Sequence, residues 1–200
     1  MEVAGVSVSP TSRHHPAPSG LFGWFTERVM PGSAAWRFPL LATAIVAAGL
    51  AGADWPGLRE FGLRLALAFL LVVSLRLVDD LVDLRSDRET HPERVLVRAR
   101  SIAPYVVCAI AGLAASFFVL LAHSPSRAPG LIALLAGLGC WYSLGQRAPW
   151  IHALVLLSKY PALVLLLGSE GMGHPARIAS AALLYTALLF YERATDPELQ

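Results

Sequence analysis

The stretch Arg76-Leu-Val-Asp79-Asp80-Leu-Val-Asp83-Leu-Arg-Ser-Asp87-Arg-Glu-Thr-His91-Pro92-Glu93-Arg94 concentrates acids and arginines in a 200-residue chain that is otherwise poor in charge. On a helix running to Pro92, Asp80, Asp83 and Asp87 fall at i, i+3 and i+7, which is one face, with Arg76 a turn earlier and Asp79 at the margin. Carboxylates stacked in this way repel one another unless a cation lies between them. Their hard oxygens suit Mg²⁺, which keeps several of its waters and is usually shared with substrate phosphates. Such an ion neutralises a diphosphate and stabilises the charge it carries away as a leaving group. Arg76, Arg88, Arg94 and Arg98 are the candidates to grip phosphate oxygens in bidentate fashion. The competing reading is a solvated loop whose acids pair with its own arginines at i, i+4. Against it, the acids alternate with Leu81, Val82 and Leu84 in a helical pattern at the end of an apolar run, where ionisable residues tend to be functional.

The elements that position this cluster are set by composition. Hydrophobic residues make up 56% of the chain and charged residues 15%, against roughly 25% charged in a typical soluble protein, so lipid is the solvent for most of it. Six long apolar runs read as helices, since lipid leaves no partner for an unpaired backbone: Phe38–Ala53, Phe61–Val78, Ser101–Ala122, Ala128–Gln146, Trp150–Ser169 and Ile178–Tyr191. The expected fold is therefore an all-α, polytopic helical bundle of about six spans over residues 36–200, preceded by residues 1–35. Within those, residues 1–20 read as a disordered tail and Leu21–Met30 as a short interfacial helix.

Orientation follows from the arginines. Arg13, Arg28, Arg37, Arg85, Arg88, Arg94, Arg98, Arg100, Arg147 and Arg193 fall on one side, and Arg59, Arg127 and Arg177 on the other. The positive-inside rule puts the first side, with both termini and the acidic cluster, in the cytoplasm of a cell (inner) membrane protein. A net charge of +2, from 16 basic and 14 acidic residues, gives no case for nucleic-acid binding. Cys108 and Cys140 lie in apolar runs and read as small buried hydrophobes.

The acidic stretch resembles the first motif of the UbiA superfamily of intramembrane prenyltransferases, (N/D)DxxDxxxD, in Asp79-Asp80-Leu-Val-Asp83-Leu-Arg-Ser-Asp87. Pro92-Glu-Arg94-Val-Leu is similar to the arginine-containing segment that follows it in the family. Tyr142-Ser143 with Arg147 is similar to the family's tyrosine and basic pair after the fourth span, and Glu192 with Asp196 stands where a second acidic motif is expected. The resemblance covers residues 36–196. It implies Mg²⁺ as cofactor, held by Asp80, Asp83 and Asp87 with Glu192 and Asp196. It further implies an isoprenyl diphosphate as substrate, bound by Arg76, Asp79, Arg94, Lys159, Tyr142 and Arg147, whose prenyl group passes to an acceptor or cyclises. The thin second motif motivates a different expectation: a relative that binds isoprenoids or scaffolds other membrane proteins without catalysis, with a partner membrane chain or a homo-oligomer completing it. A small transporter is a third reading, which the lack of an internal repeat disfavours.

Other residues carry two readings each. Lys159 is the costliest to place in lipid, at about 2.5–3.5 kcal/mol for an ammonium at a span centre. It either holds a diphosphate or acceptor carboxylate, or pairs with a carboxylate of the bundle, and Pro161 is expected to break its helix. His152 reads as a hydrogen-bonded interior histidine and His91 as a helix-terminal residue. Tyr105 and Tyr185 either line a cavity or pack against lipid. Gly168–Gly173 reads as a turn, and Trp24, Trp36, Trp55, Trp141 and Trp150 as interfacial anchors.

Overall fold

The computed structural model describes residues 20–28, 36–144, 149–168 and 174–195, and among these the regular structure is entirely helical. Helix α1 is Gly20–Arg28, α2 Arg37–Leu50, α3 Leu58–Val82, α4 Leu84–Thr90 and α5 Ala103–His123. A 3₁₀ turn at Pro125–Arg127 leads into α6 Ala128–Ser143, and α7 Pro149–Leu157, α8 Lys159–Leu167 and α9 His174–Thr195 follow. Each of the six apolar runs thus contains a helix. Three segments are long and apolar enough to cross a membrane: Leu58–Val82, Ala103–His123, and Trp150–Leu167, which joins α7 to α8. At 14 and 16 residues, α2 and α6 are only about 21 and 24 Å long, short of the ~30 Å hydrocarbon core.

Two helix breaks shape the charged end of the bundle. The helix expected to run to Pro92 breaks at Asp83, whose ψ of −3° departs from the helical value of about −42°, and it ends at Thr90. The helical hydrogen bonds on either side, Asp83 N–H to Asp79 O and Asp87 N–H to Asp83 O, both 2.9 Å, are kept, so α4 is a bent continuation of α3. The bend lets Leu84 pack with Val95 and Leu96. The second break lies between α7 and α8. Pro161 has no N–H to give to the carbonyl of Leu157, and the chain tightens there through Ser158 N–H to Val155 O at 3.1 Å.

The bundle has two poles. Arg64, near the start of α3, donates to Leu167 O at 3.1 Å, and Arg127 donates to Leu166 O at 3.0 Å and to Gly168 O. These guanidiniums satisfy the last carbonyls of α8 and meet the negative end of its dipole. At the opposite pole Asp79 of α3 meets Lys159 of α8 and Tyr142 of α6, so α8 runs antiparallel to α3 and α6. Between the poles lies an apolar core that includes Ala42, Ile45, Leu71, Leu131, Leu163 and Val164. Towards the Arg64 and Arg127 pole, α2 crosses the last turn of α8 backbone to backbone: a Cβ on Gly49 would stand 3.1 Å from Gly168 Cα and 3.3 Å from Val164 O. Backbone cannot yield as a side chain can, so Gly49→Val forces α2 from α8 and destabilises the bundle by about 1–3 kcal/mol. Thermal unfolding in detergent checks this, and an unchanged midpoint would mean that the crossing is not tight.

Candidate functional site

Around Asp79, three helices meet through polar groups. Burial leaves Asp79 4% and Lys159 2% exposed, in the part of the bundle where an unpaired charge is least tolerable. Lys159 Nζ donates to Asp79 Oδ2, the Tyr142 hydroxyl donates to Asp79 Oδ1, and the ammonium lies 5.3 Å from the centroid of the Tyr160 ring. Of the two readings open for Lys159, the structure realises the pairing with a bundle carboxylate. The break at Pro161 sets Lys159 at the start of α8, from which it reaches Asp79 on α3.

Asp80, the neighbouring residue, turns towards α1 and is equally occupied. Its Oδ1 accepts from Arg28 at 2.9 Å and lies 3.1 Å from an Arg76 guanidinium nitrogen; its Oδ2 accepts from the Trp24 indole N–H at 2.9 Å. Asp87, 6% exposed, is paired with Arg94. Asp83 is half-buried at the bend between α3 and α4 and has no ion pair among the described residues. Burial pushes its carboxyl above the ordinary range, opposed by His152 and reinforced by Asp79 and Asp87.

The three aspartates predicted on one face therefore share a pole but not a point. Among the described residues no three His, Cys, Asp or Glu side chains gather as a metal-binding group. Asp79, Asp80 and Asp87 already have cationic partners, so this arrangement does not fit a resident metal ion. Glu192 lies in the last turn of α9. Asp196 and Arg147 lie outside the described residues, as does Ser169–Gly173. Arg88 and Arg98 are exposed.

His152, half-buried, accepts at Nδ1 from Trp141 Nε1 at 3.4 Å, with the two rings stacked. The Tyr185 hydroxyl donates to Leu154 O at 2.8 Å, and Tyr105 is buried. Cys108 and Cys140 are exposed on the surface of the bundle, not buried within it. In a chain that lipid surrounds, the bundle exterior is itself an apolar environment, so an apolar run does not specify which face is inward.

Two residues of the site were not legible as such in the sequence. Trp24, read as an interfacial anchor, is 3% exposed and bound to Asp80, whereas Trp36, Trp55 and Trp150 are more than half exposed, as anchors would be. Arg28 stood out in the sequence only as a topogenic charge. The signal was present in their spacing: Trp24, Glu27 and Arg28 lie at i, i+3 and i+4 and make one polar-tipped face. No protein-family model matches the chain, and no curated protein or solved structure matches it either.

Proposed function

We propose that the polar pole around Asp79 and Asp80 is the diphosphate-recognition site of an intramembrane prenyltransferase of the UbiA type, in a six-span protein of the cell (inner) membrane with both termini in the cytoplasm. The observation that carries this reading is the convergence of the aspartate motif with Lys159 and Tyr142, residues 80 and 63 positions distant from Asp79, in one buried cluster. Arg76, Arg94 and Lys159 are cations held beside carboxylates, ready to exchange a carboxylate for a phosphate oxygen. Tyr142 and Asp79 orient that ammonium. Mg²⁺ would arrive with the diphosphate, and Asp80, Asp83 and Asp87, joined by Glu192 and Asp196, would hold it only once Asp80 and Asp87 had given up their present cations. Loss of diphosphate from an allylic substrate leaves a carbocation, which an acceptor captures or which cyclises away from water.

A second reading is favoured by a specific observation: Asp79, Asp80 and Asp87 are all neutralised within the chain. A bundle of that kind binds an isoprenoid or scaffolds a partner membrane chain without turning anything over. Diphosphate release from geranyl, farnesyl and geranylgeranyl diphosphates separates the two, with protein in lipid, with and without Mg²⁺, beside Asp80→Asn/Asp83→Asn. The enzyme reading expects metal-dependent release that falls at least about a hundredfold in the variant, the scale of losing a group that acts on the transition state. Binding of the diphosphates without release supports the second reading and sinks the first.

A further inference from the structure

Between α8 and α9 the exterior of the bundle carries a groove of about 360 Å³, with Pro161 and Leu165 on one side and Ile178, Ala182 and Tyr185 on the other. Ile178, Ala181, Ala182 and Tyr185 fall at i, i+3, i+4 and i+7 of α9 and so share one face. The groove is open because two of these four are alanines, too short to close the seam against α8. Its polar side chains are already satisfied: the Tyr185 hydroxyl donates to Leu154 O at 2.8 Å and the Ser158 hydroxyl to Val155 O at 2.6 Å. The lining therefore gives an occupant hydrocarbon to pack against and no side-chain donor.

The two ends of the groove differ. Leu165 lies one turn before Gly168, whose carbonyl accepts from Arg127, and Arg177 reaches the same glycine from α9, its Nε 3.2 Å from where a Cβ on Gly168 would stand. Arg64, which donates to Glu60 and to Leu167 O, is the third guanidinium at this end. The other end, at Ser158, falls in the middle of the apolar segment Trp150–Leu167. From Ile178 to Tyr185 is about 10 Å of helix, against roughly 15 Å of hydrocarbon in one leaflet.

We infer that this groove holds one acyl chain of an anionic phospholipid whose phosphate lies at the pole of Arg64, Arg127 and Arg177. Lipid supplies no water to an apolar groove at this depth, so hydrocarbon fills it, and 360 Å³ takes on the order of a dozen groups the size of a water molecule, about 30 Å³ each. A phospholipid matches the groove from end to end: charge at one face of the bilayer, where the guanidinium forks suit phosphate oxygens, and a chain directed towards the bilayer middle. An isoprenyl diphosphate bound beside Asp79 would carry its charge at the opposite pole. The lipid site is therefore separate from the proposed diphosphate site and does not rest on it.

The test uses the full chain in phosphatidylcholine vesicles at low salt, doped with a trace of phosphatidylglycerol or phosphatidylcholine that carries a photoreactive diazirine in its acyl chain. After photolysis, peptide masses locate the adducts, with the exposed face of α5 around Val107 and Ile110 as the reference. Phosphatidylglycerol is expected to label 158–165 and 178–185 about fivefold more than the reference, and about fivefold more than phosphatidylcholine does, the scale of one arginine beside an anionic headgroup. Ala182→Phe, at an exposed position that fills the groove, brings this labelling down to the reference level, while Leu183→Phe, on a neighbouring side chain that is 72% exposed, leaves it unchanged. Arg177→Gln removes the preference for phosphatidylglycerol and Arg177→Lys keeps it. Labelling no stronger in the groove than on α5, equal labelling by the two lipids, or labelling that Ala182→Phe leaves intact each overturns the inference. So do two results that assign the groove to another occupant: loss of the adducts to excess farnesyl diphosphate, or a dimer in the native mass spectrum that Ala182→Phe dissociates.

Discussion

Lys159→Met destabilises this protein by about 3–5 kcal/mol, the cost of leaving one member of a buried ion pair without its partner. The methionine fills the volume of the lysine stem, so packing is nearly kept; what is lost is the charge that neutralises Asp79, a carboxylate 4% exposed between α3, α6 and α8. Tyr142 still donates to Asp79 but brings no charge. Asp79→Asn is expected to cost a similar amount, because it strands the ammonium. The double variant Asp79→Asn/Lys159→Met recovers most of the loss, since no unpaired charge remains and the amide oxygen introduced at position 79 still accepts from Tyr142. Unfolding in mixed detergent micelles measures all three. Additive losses in the double variant would mean that the two charges do not depend on one another, contrary to the contact described.

Trp24→Ala weakens the docking of α1 by about 3–5 kcal/mol, the usual cost of truncating a large buried aromatic side chain. Trp24→Phe is expected to cost only about 1–3 kcal/mol, because a ring still fills the space between Leu77 and Leu96 while Asp80 Oδ2 loses its N–H donor. The readout is amide exchange over 20–28 against the same segment of the wild-type chain. The pair of substitutions separates packing from hydrogen bonding. If neither changes exchange, Trp24 acts as the interfacial anchor that the sequence suggested, and its bond to Asp80 contributes nothing to holding α1.

The helical class, the places of the apolar helices and the end of α3 at which charge collects are all legible in the chain before it folds. They follow from local facts: long apolar runs leave the backbone no option but helix, and four aspartates within nine positions mark the place where charge must find partners. Pro161 was legible as a break for the same kind of reason, because a missing N–H acts wherever the residue is placed. Packing between helices settled which partner each charge has. Spacing placed Asp80, Asp83 and Asp87 on one face, yet Asp80 turned to α1 and Asp87 to Arg94, while Asp79, the marginal residue, became the centre of the buried cluster. Helical periodicity reports a direction around one axis. The ion that a carboxylate finds along that direction depends on how α1, α6 and α8 pack against α3, and those helices bring residues from 52 to 80 positions away. That is why the acidic motif could be read from the sequence and its pairing with Trp24, Arg28 and Lys159 could not.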